Sequence, residues 1–415
     1  CISSAASDVY KRQVNKMSEK KKPVVRFAGF TGDWEQRKVG ELASDTYGGG
    51  TPTTSNDRFW NGTIPWIQSS DLSEHQVFGV TPRKYISNEA VLSSATKIVP
   101  ENSIAIITRV VVGKLAVMPF SYATSQDFLS LSKLKTDIVF TSYLLYKKLQ
   151  SELNSVQGTS IKGLTKDELL TKVVVVPGRK EQEAIGTYFK QLDQLITLHH
   201  RKCDKLKNVK KSMLEKMFPK NGRKVPEIRF AGFTDDWEQR NDNEELEIRS
   251  EEWYIVSIGD IVSIGNGKDY KHLSDGNIPV YGTGGYMLSV SEALSYDDAI
   301  GIGRKGTIDR PYVLKAPFWT VDTLFYCIPQ NNIDLNFIYA VFQTIDWKKL
   351  DESTGVPSLS KENIANYSLL IPRSVDIQRK IGRFFKNFDN LIALHQRKLE
   401  KLQNIKKSCL EKMFV

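Results

Sequence analysis

The side chains that could carry covalent chemistry are scattered along this chain without the spacings such chemistry requires. Cys1, Cys203, Cys327 and Cys409 have neither metal nor disulfide spacing and read as small hydrophobes in a reducing cytoplasm. No GxxxxGK[ST] loop, HExxH helix or GxSxG turn is present, nor an adenosylmethionine-type glycine motif followed by Asn-Pro-Pro-aromatic. Gly48 to Gly50 and Gly265 to Gly267 lack a following phosphate-loop lysine and are expected to be turns. His199 and His395 fall at equivalent places in a repeat, where a polar residue sets register. Trp66 and Trp319 are expected in the core rather than as stacking platforms. Catalysis is therefore assigned to a partner.

The elements that organise the chain are two copies of one helix. QEAIGTYFKQLDQLITLHHRKCDKLKNVKKSMLEKMF, Gln182 to Phe218, returns ungapped at Gln378 to Phe414, identical at 23 of 37 positions. In the first copy Ile185, Phe189, Leu192, Ile196, His199, Cys203 and Leu206 alternate at spacings of four and three. In the second copy Ile381, Phe385, Phe388, Ile392, His395, Leu399 and Leu402 do the same, the seam of a coiled coil. Gly186 and Gly382 sit where each helix begins. Each helix is expected to run roughly 55 Å at about 1.5 Å per residue. A stripe that long needs a partner, and the chain supplies its own copy, packed antiparallel about a pseudo-twofold axis.

Charge follows the repeats. The chain carries a net +10 with a pI near 9.1, and the two repeats alone carry a net +11. A basic rod suits a polyanion or an acidic protein surface. No apolar run is long enough to cross a bilayer; Ser103 to Phe120 is interrupted by Arg109 and Lys114.

The remaining sequence divides into a leader (1–23), a globular segment (24–180), the first long helix (181–218), a linker (219–249), a second globular segment (250–377) and the second long helix (378–415). Residues 1–16 differ in character from the rest, and a natural start is expected at Met17. RFAGFTGDWEQR at Arg26 returns as RFAGFTDDWEQR at Arg229. Trp253, rather than Trp237, aligns with Trp34, which makes residues 241–252 an insertion. SIAIITR (Ser103 to Arg109) matches AIGIGR (Ala299 to Arg304), each a buried strand ending in arginine. GLTKDELLTKVVVVP (Gly163 to Pro177) matches SLSKENIANYSLLIP (Ser358 to Pro372), a capped helical turn, a strand and a proline. Short strands, frequent Gly/Pro turns and few long helical patterns predict mixed α/β domains around twisted sheet.

The alternation of variable segment and repeated helix, together with LKNVKKSMLEKMF, resembles the specificity subunit of type I restriction-modification systems. So do IPWIQSSDL (Ile64 to Leu72), IPVYGTGGY (Ile278 to Tyr286), IGRKGTIDRPYVLKAPFWTVDT (Ile302 to Thr323) and the lead-in Pro177, Glu181, Gln182. The second lead-in departs from this, with one extra residue and Asp376-Ile377 where the first copy has Glu-Gln. The resemblance implies a non-catalytic, cytoplasmic subunit with two target-recognition domains, each reading half of a bipartite double-stranded DNA site. The helices would set the spacer and dock two methyltransferase subunits, with restriction subunits joining. No cofactor is expected on this chain; adenosylmethionine, ATP and magnesium would belong to the partner subunits. Residue type and placement nominate Gln68, Ser69, Ser70, Arg109, Lys114 and Gln126 in the first domain, and Tyr281, Thr283, Arg304 and Lys305 in the second. Arg and Gln suit guanine and adenine edges, while Ser, Thr and Lys more often hold phosphate. A nonspecific polyanion-binding scaffold and a DNA-modifying enzyme are the rival readings.

Overall fold

The computed structural model describes residues 22–74, 76–109, 112–155, 163–219, 226–230, 253–330, 332–351 and 353–415. Residues 1–21 of the leader, the 241–252 insertion, Trp237 and most of the Pro219 to Pro226 linker lie outside the described residues. The chain forms two compact units. One holds the residues up to His199 together with Lys398–Val415, and the other holds His200–Arg397.

In the first unit β1 (Glu35–Lys38) pairs antiparallel with β9 (Val173–Val176). A four-stranded antiparallel sheet runs in the order β2 (Ala43–Gly48), β8 (Phe128–Leu134), β5 (Ser103–Ile107), β6 (Leu115–Met118). A three-stranded sheet joins β4 (Lys84–Ile86), β3 (Ile64–Ile67) and β7 (Ala123–Thr124), with β3 and β7 parallel. All five residues of β5 are buried, the polar Ser103 among them. The helices are α1 (Asn88–Leu92), α2 (Ile138–Ser155), α3 (Lys166–Thr171) and the long α4 (Arg179–Lys216), which continues into the second unit.

The second unit repeats this topology strand for strand. β10 (Trp253–Ser257) pairs with β18 (Ser368–Pro372). The larger sheet is β11 (Val262–Asn266), β17 (Leu324–Pro329), β14 (Ala299–Gly303), β15 (Tyr312–Leu314). The smaller sheet is β13 (Gly285–Val290), β12 (Asp275–Gly282), β16 (Trp319–Thr320). Its helices are α5 (Ile258–Ile261), α6 (Leu335–Phe342), α7 (Lys361–Asn366) and the long α8 (Val375–Met413). Trp34 and Trp253 are both buried, one just before β1 and the other opening β10. Thr165 and Ser360 cap α3 and α7 by accepting from the Glu168 and Asn363 amides, the arrangement expected from sequence.

Several expectations change. The globular segments show few long helical patterns in sequence, yet α2 spans 18 residues. It carries buried residues on several sides, Phe140, Tyr143, Leu144, Leu145 and Leu149 among them, so no narrow stripe marks it. Gly186 and Gly382 lie within the long helices at the crossing of a second helix. A Cβ on Gly186 would lie 2.9 Å from the Phe140 amide nitrogen, and one on Gly382 would lie 2.6 Å from that of Phe337 and 2.5 Å from Asp334 Oδ1. Gly48 and Gly265, expected in turns, belong to β2 and β11.

The seam is buried unevenly. Ile185, Phe189, Leu192, Cys203, Ile381 and Phe385 are buried, whereas Ile196, His199, Leu206, Phe388, Ile392, His395, Leu399 and Leu402 are half-buried. The buried residues near each helix start belong to a domain core as well as to a helix pair. Phe189 contacts Tyr143 of α2 at 5.1 Å between ring centroids and Phe414 at 5.5 Å. Phe385 stacks on Phe218 at 5.8 Å in the second unit.

Within each unit the two long helices run antiparallel, since paired numbers rise on one and fall on the other. In the first unit Tyr188 meets Cys409 and Asp193 meets Lys406. In the second, Phe218 meets Phe385 and Lys210 meets Asp389.

The lead-ins keep the ungapped pairing of Gln182 with Gln378, which sets Ile377 rather than Asp376 opposite Glu181. Gln182 accepts from the Asp137 amide at 2.8 Å and donates to Pro177 O at 2.8 Å. Gln378 accepts from the Asp334 amide at 3.2 Å and donates to Pro372 O at 3.0 Å. The two glutamines are therefore counterparts, and Ile377 replaces Glu181. Buried Glu181 accepts from Arg26 Nε and Nη2, each at 2.6 Å. Ile377 joins the apolar core instead.

Candidate nucleic-acid interface

Three chain segments converge on one tight turn in the first unit. β7 leaves the small sheet at Thr124, and Ser125 to Phe128 turns the chain into β8, closed by the Phe128 amide donating to Ser125 O at 3.3 Å. The end of β3 holds one side, Ser125 N donating to Ile67 O at 3.0 Å. The end of β5 holds the other, Thr108 N donating to Asp127 O at 2.8 Å. Gly49 backs onto the turn so closely that a Cβ there would lie 1.8 Å from Ser125 O. Gln126 stands exposed at the turn's tip.

The second unit builds the same turn at Val321 to Leu324. Leu324 N donates to Val321 O at 2.9 Å, Val321 N to Tyr281 O at 3.0 Å and Arg304 N to Thr323 O at 2.8 Å. Gly267 takes the place of Gly49, with a Cβ only 1.9 Å from Val321 O. Asp322 occupies the tip and is exposed. Leu164 N donates to Thr108 O at 2.6 Å, and Leu359 N to Arg304 O at 2.9 Å. These bonds correct the strand alignment by one residue. Arg304 corresponds to Thr108, and Lys305 to Arg109.

Of the nominated residues, Arg109 and Gln126 line one groove of about 610 Å³ in the first unit, together with Thr108, Gly163, Thr165 and Lys166. Gln68 directly follows Ile67, so its backbone adjoins the same turn. Its amide nitrogen donates to Ser70 Oγ at 3.0 Å, and its backbone amide to the buried Asp71 at 3.0 Å. Ser69 opens the single helical turn after it. Lys114 lies apart in a separate cavity of about 220 Å³, where its ammonium donates to Leu72 O at 3.4 Å and faces Glu74 at 3.8 Å.

In the second unit Tyr281, Arg304 and Lys305 all border the Val321 turn. The Arg304 guanidinium lies 5.8 Å from the Phe325 ring, and both basic residues are exposed. Thr283 follows in the β12–β13 hairpin, whose Gly282 O accepts from Tyr312 at 2.6 Å. Burial raises the Tyr312 hydroxyl well above the usual tyrosine range and keeps it a donor. Trp66 and Trp319 are buried and donate to Gly50 O at 3.1 Å and Lys268 O at 2.9 Å, as core residues do.

Asp322 is not among the nominated residues, because residue type favours cations and amides for a polyanion surface. The signal was available, since Asp322 stands at the same offset from Gln126 as the second helix does from the first. Among the described residues no group of three or more His, Cys, Asp or Glu is placed to hold a metal ion. Nor is any described helix long and apolar enough to cross a membrane.

Comparison with known proteins agrees with the duplicated geometry. The family model described as the type I restriction modification DNA specificity domain matches residues 31–208 and again 250–404. The MjaIX type I restriction enzyme specificity subunit of Methanocaldococcus jannaschii is 26% identical over 243 residues, 57% of this chain and 53% of that protein. The EcoR124I/EcoR124II specificity subunit of Escherichia coli is 31% identical over 172 residues, 40% of this chain and 42% of that protein. The chain thus spans about half the length of these two relatives. The crystal structure of the S subunit of a type I restriction-modification system from M. genitalium has the same fold, with a TM-score of 0.69 at 18% identity over 95% of this chain and 99% of that one.

Proposed function

The chain belongs to the type I restriction modification DNA specificity domain family, and from that premise we propose that it is the sequence-reading subunit of such a system. The observation that carries this reading is the pair of turns at Gln126 and Asp322, alike in backbone and different in side chain. Two frames that hold different side chains toward solvent suit two half-sites of different sequence. On this reading residues 24–180 and 250–377 are the target-recognition domains, working in the cytoplasm on double-stranded DNA. The basic long helices contribute phosphate attraction and set the unspecified gap.

Two methyltransferase subunits dock on the helices. Leu195 and Leu198 support this, as do their counterparts Leu391 and Leu394, all 44–45% exposed and followed one turn on by Arg201 and Lys202 or Arg397 and Lys398. Adenine methylation and ATP-dependent cleavage belong to the methyltransferase and restriction subunits, and this chain contributes selection only.

The test is methylome sequencing of a host carrying this chain with its methyltransferase subunits. A methylated bipartite motif that vanishes when the chain is omitted is the expected result. Methylation unaffected by its omission would overturn the reading. Random duplex competing as well as the motif for binding would favour a nonspecific polyanion scaffold.

A further inference from the structure

The two turn tips differ in a way that has chemical content. Gln126 offers a donor and an acceptor side by side, the complement of adenine N7 and N6 in the major groove. Asp322 offers acceptors only. The chain brings that carboxylate to a surface meant for a polyanion, next to Arg304 and Lys305, whose backbone amides both donate to Thr323 O. A carboxylate there is repelled by phosphate and by the N7 and O6 acceptors of purines. The base edge that suits it is cytosine, whose own major-groove edge presents the N4 amine donor and no acceptor. An arginine alongside suits the guanine of a C·G pair.

We propose that Gln126 and Asp322 are a matched pair of base-reading positions, Asp322 selecting cytosine in one half-site where Gln126 selects adenine in the other. This rests on the DNA-reading function proposed above. The backbone argument is independent of side-chain type. Both turns are closed by the same bond, anchored by the ends of the same two strands and backed by a glycine within 2 Å of a virtual Cβ contact. With the frame held constant, the tip side chain is the variable, as a reading position requires.

The experiment compares methylomes of hosts carrying the methyltransferase subunits with the wild-type chain, Asp322→Gln or Gln126→Asp. Asp322→Gln is expected to alter or relax one C·G position in one half-site and leave the other half-site intact. Gln126→Asp is expected to do the same to one adenine-containing position in the other half-site. Preference for the cognate pair should fall about five- to a hundredfold. If a variant abolishes methylation, duplexes selected from a random pool by the purified complex report the same preference without turnover. Asp322→Asn, nearly isosteric, is expected to relax the same position and guards against a misfolded variant. Retention of every base in both half-sites by these variants, or changes in both half-sites from one substitution, would overturn the proposal. Failure of the wild-type chain to direct a bipartite motif would instead count against the function on which it rests.

Discussion

Lys406→Met should open the first unit where its two long helices meet. Lys406 and Asp193 pair at 2.6 Å with side chains only 9% and 14% exposed. Removing one member of such a pair leaves a buried charge uncompensated, a change that typically costs about 3–5 kcal/mol. Asp193 would still accept from the Tyr143 hydroxyl at 2.6 Å, and burial together with Asp193 itself keeps that phenol protonated. The cost should therefore fall near about 3 kcal/mol, roughly a 150-fold loss of protection. Replacing both residues, Asp193→Leu with Lys406→Met, should recover most of this, leaving about 1 kcal/mol for the Tyr143 hydroxyl without its acceptor. The repeat provides an internal control. Lys210 pairs with Asp389, but that carboxylate is 35% exposed, so Lys210→Met should cost only about 1–2 kcal/mol after solvent screening. Hydrogen exchange read by mass spectrometry over Ile185 to Leu192 and Leu402 to Phe414 measures local opening directly. Less than a fivefold change in Lys406→Met, or a double variant less protected than the single, would refute the argument.

Gly382→Ala should destabilise by about 1–3 kcal/mol through overpacking against the Phe337 amide and Asp334, against a helix-propensity gain of about 1 kcal/mol; Gly186→Ala should cost less, and a raised Tm for Gly382→Ala would contradict the close packing. The amides of Ser358 and Ser353, with the Ser353 hydroxyl, hold the Asp351 carboxyl below the usual range. Its contribution should be complete above the unfolded value of about 4 and disappear as pH falls through the lower folded value; exchange at the Ser358 amide should show this step, and Asp351→Asn should remove it. Arg109→Ala should weaken cognate binding by about 1–3 kcal/mol and random duplex less; equal losses in the two titrations would make Arg109 a phosphate contact. Four residues inserted after Leu206 add roughly 6 Å of helix and should widen the methylated motif's gap by about one or two base pairs; an unchanged gap at full activity, read by methylome sequencing, would show that the helices do not set it.

The repeated helix and paired skeletons were legible because duplication leaves each element a second reading. Gln378 shows the limit. Its identity with Gln182 was plain, but the extra residue before it obscured the lead-in alignment until the shared bonds to Asp137 and Asp334 were seen. α2 was invisible because its burial comes from sheet, α4 and Phe414 together, which erases the one-sided pattern that reveals a surface helix. At the candidate site, Arg109 and Gln126, nominated by residue type, line one groove, whereas Lys114 meets the same criterion and is tied to Leu72 and Glu74. Residue type carries no information about which loop ends meet, and that information lies in the hydrogen bonds around each turn.

The composition of the first unit constrains the order in which it can be completed. Its core includes Leu410, Met413 and Phe414, and Lys147 reaches Phe414 O across 267 residues of sequence. During synthesis the first unit's sheets and α2 emerge long before Lys398–Val415, with the whole of the second unit made in between. The nascent domain therefore waits with an apolar socket around Phe140 and Phe189 unfilled. Chain-closure entropy grows only slowly with length, so the finished contact loses little stability to its distance. The delay is a matter of time and exposure, and at ribosomal speeds of about 5–20 residues per second the last segment lags the first domain by roughly ten seconds or more. The matching LEKMF end of α4 fills the equivalent place in the second unit at Met217 and Phe218, so each unit takes its closing segment from the end of a long helix.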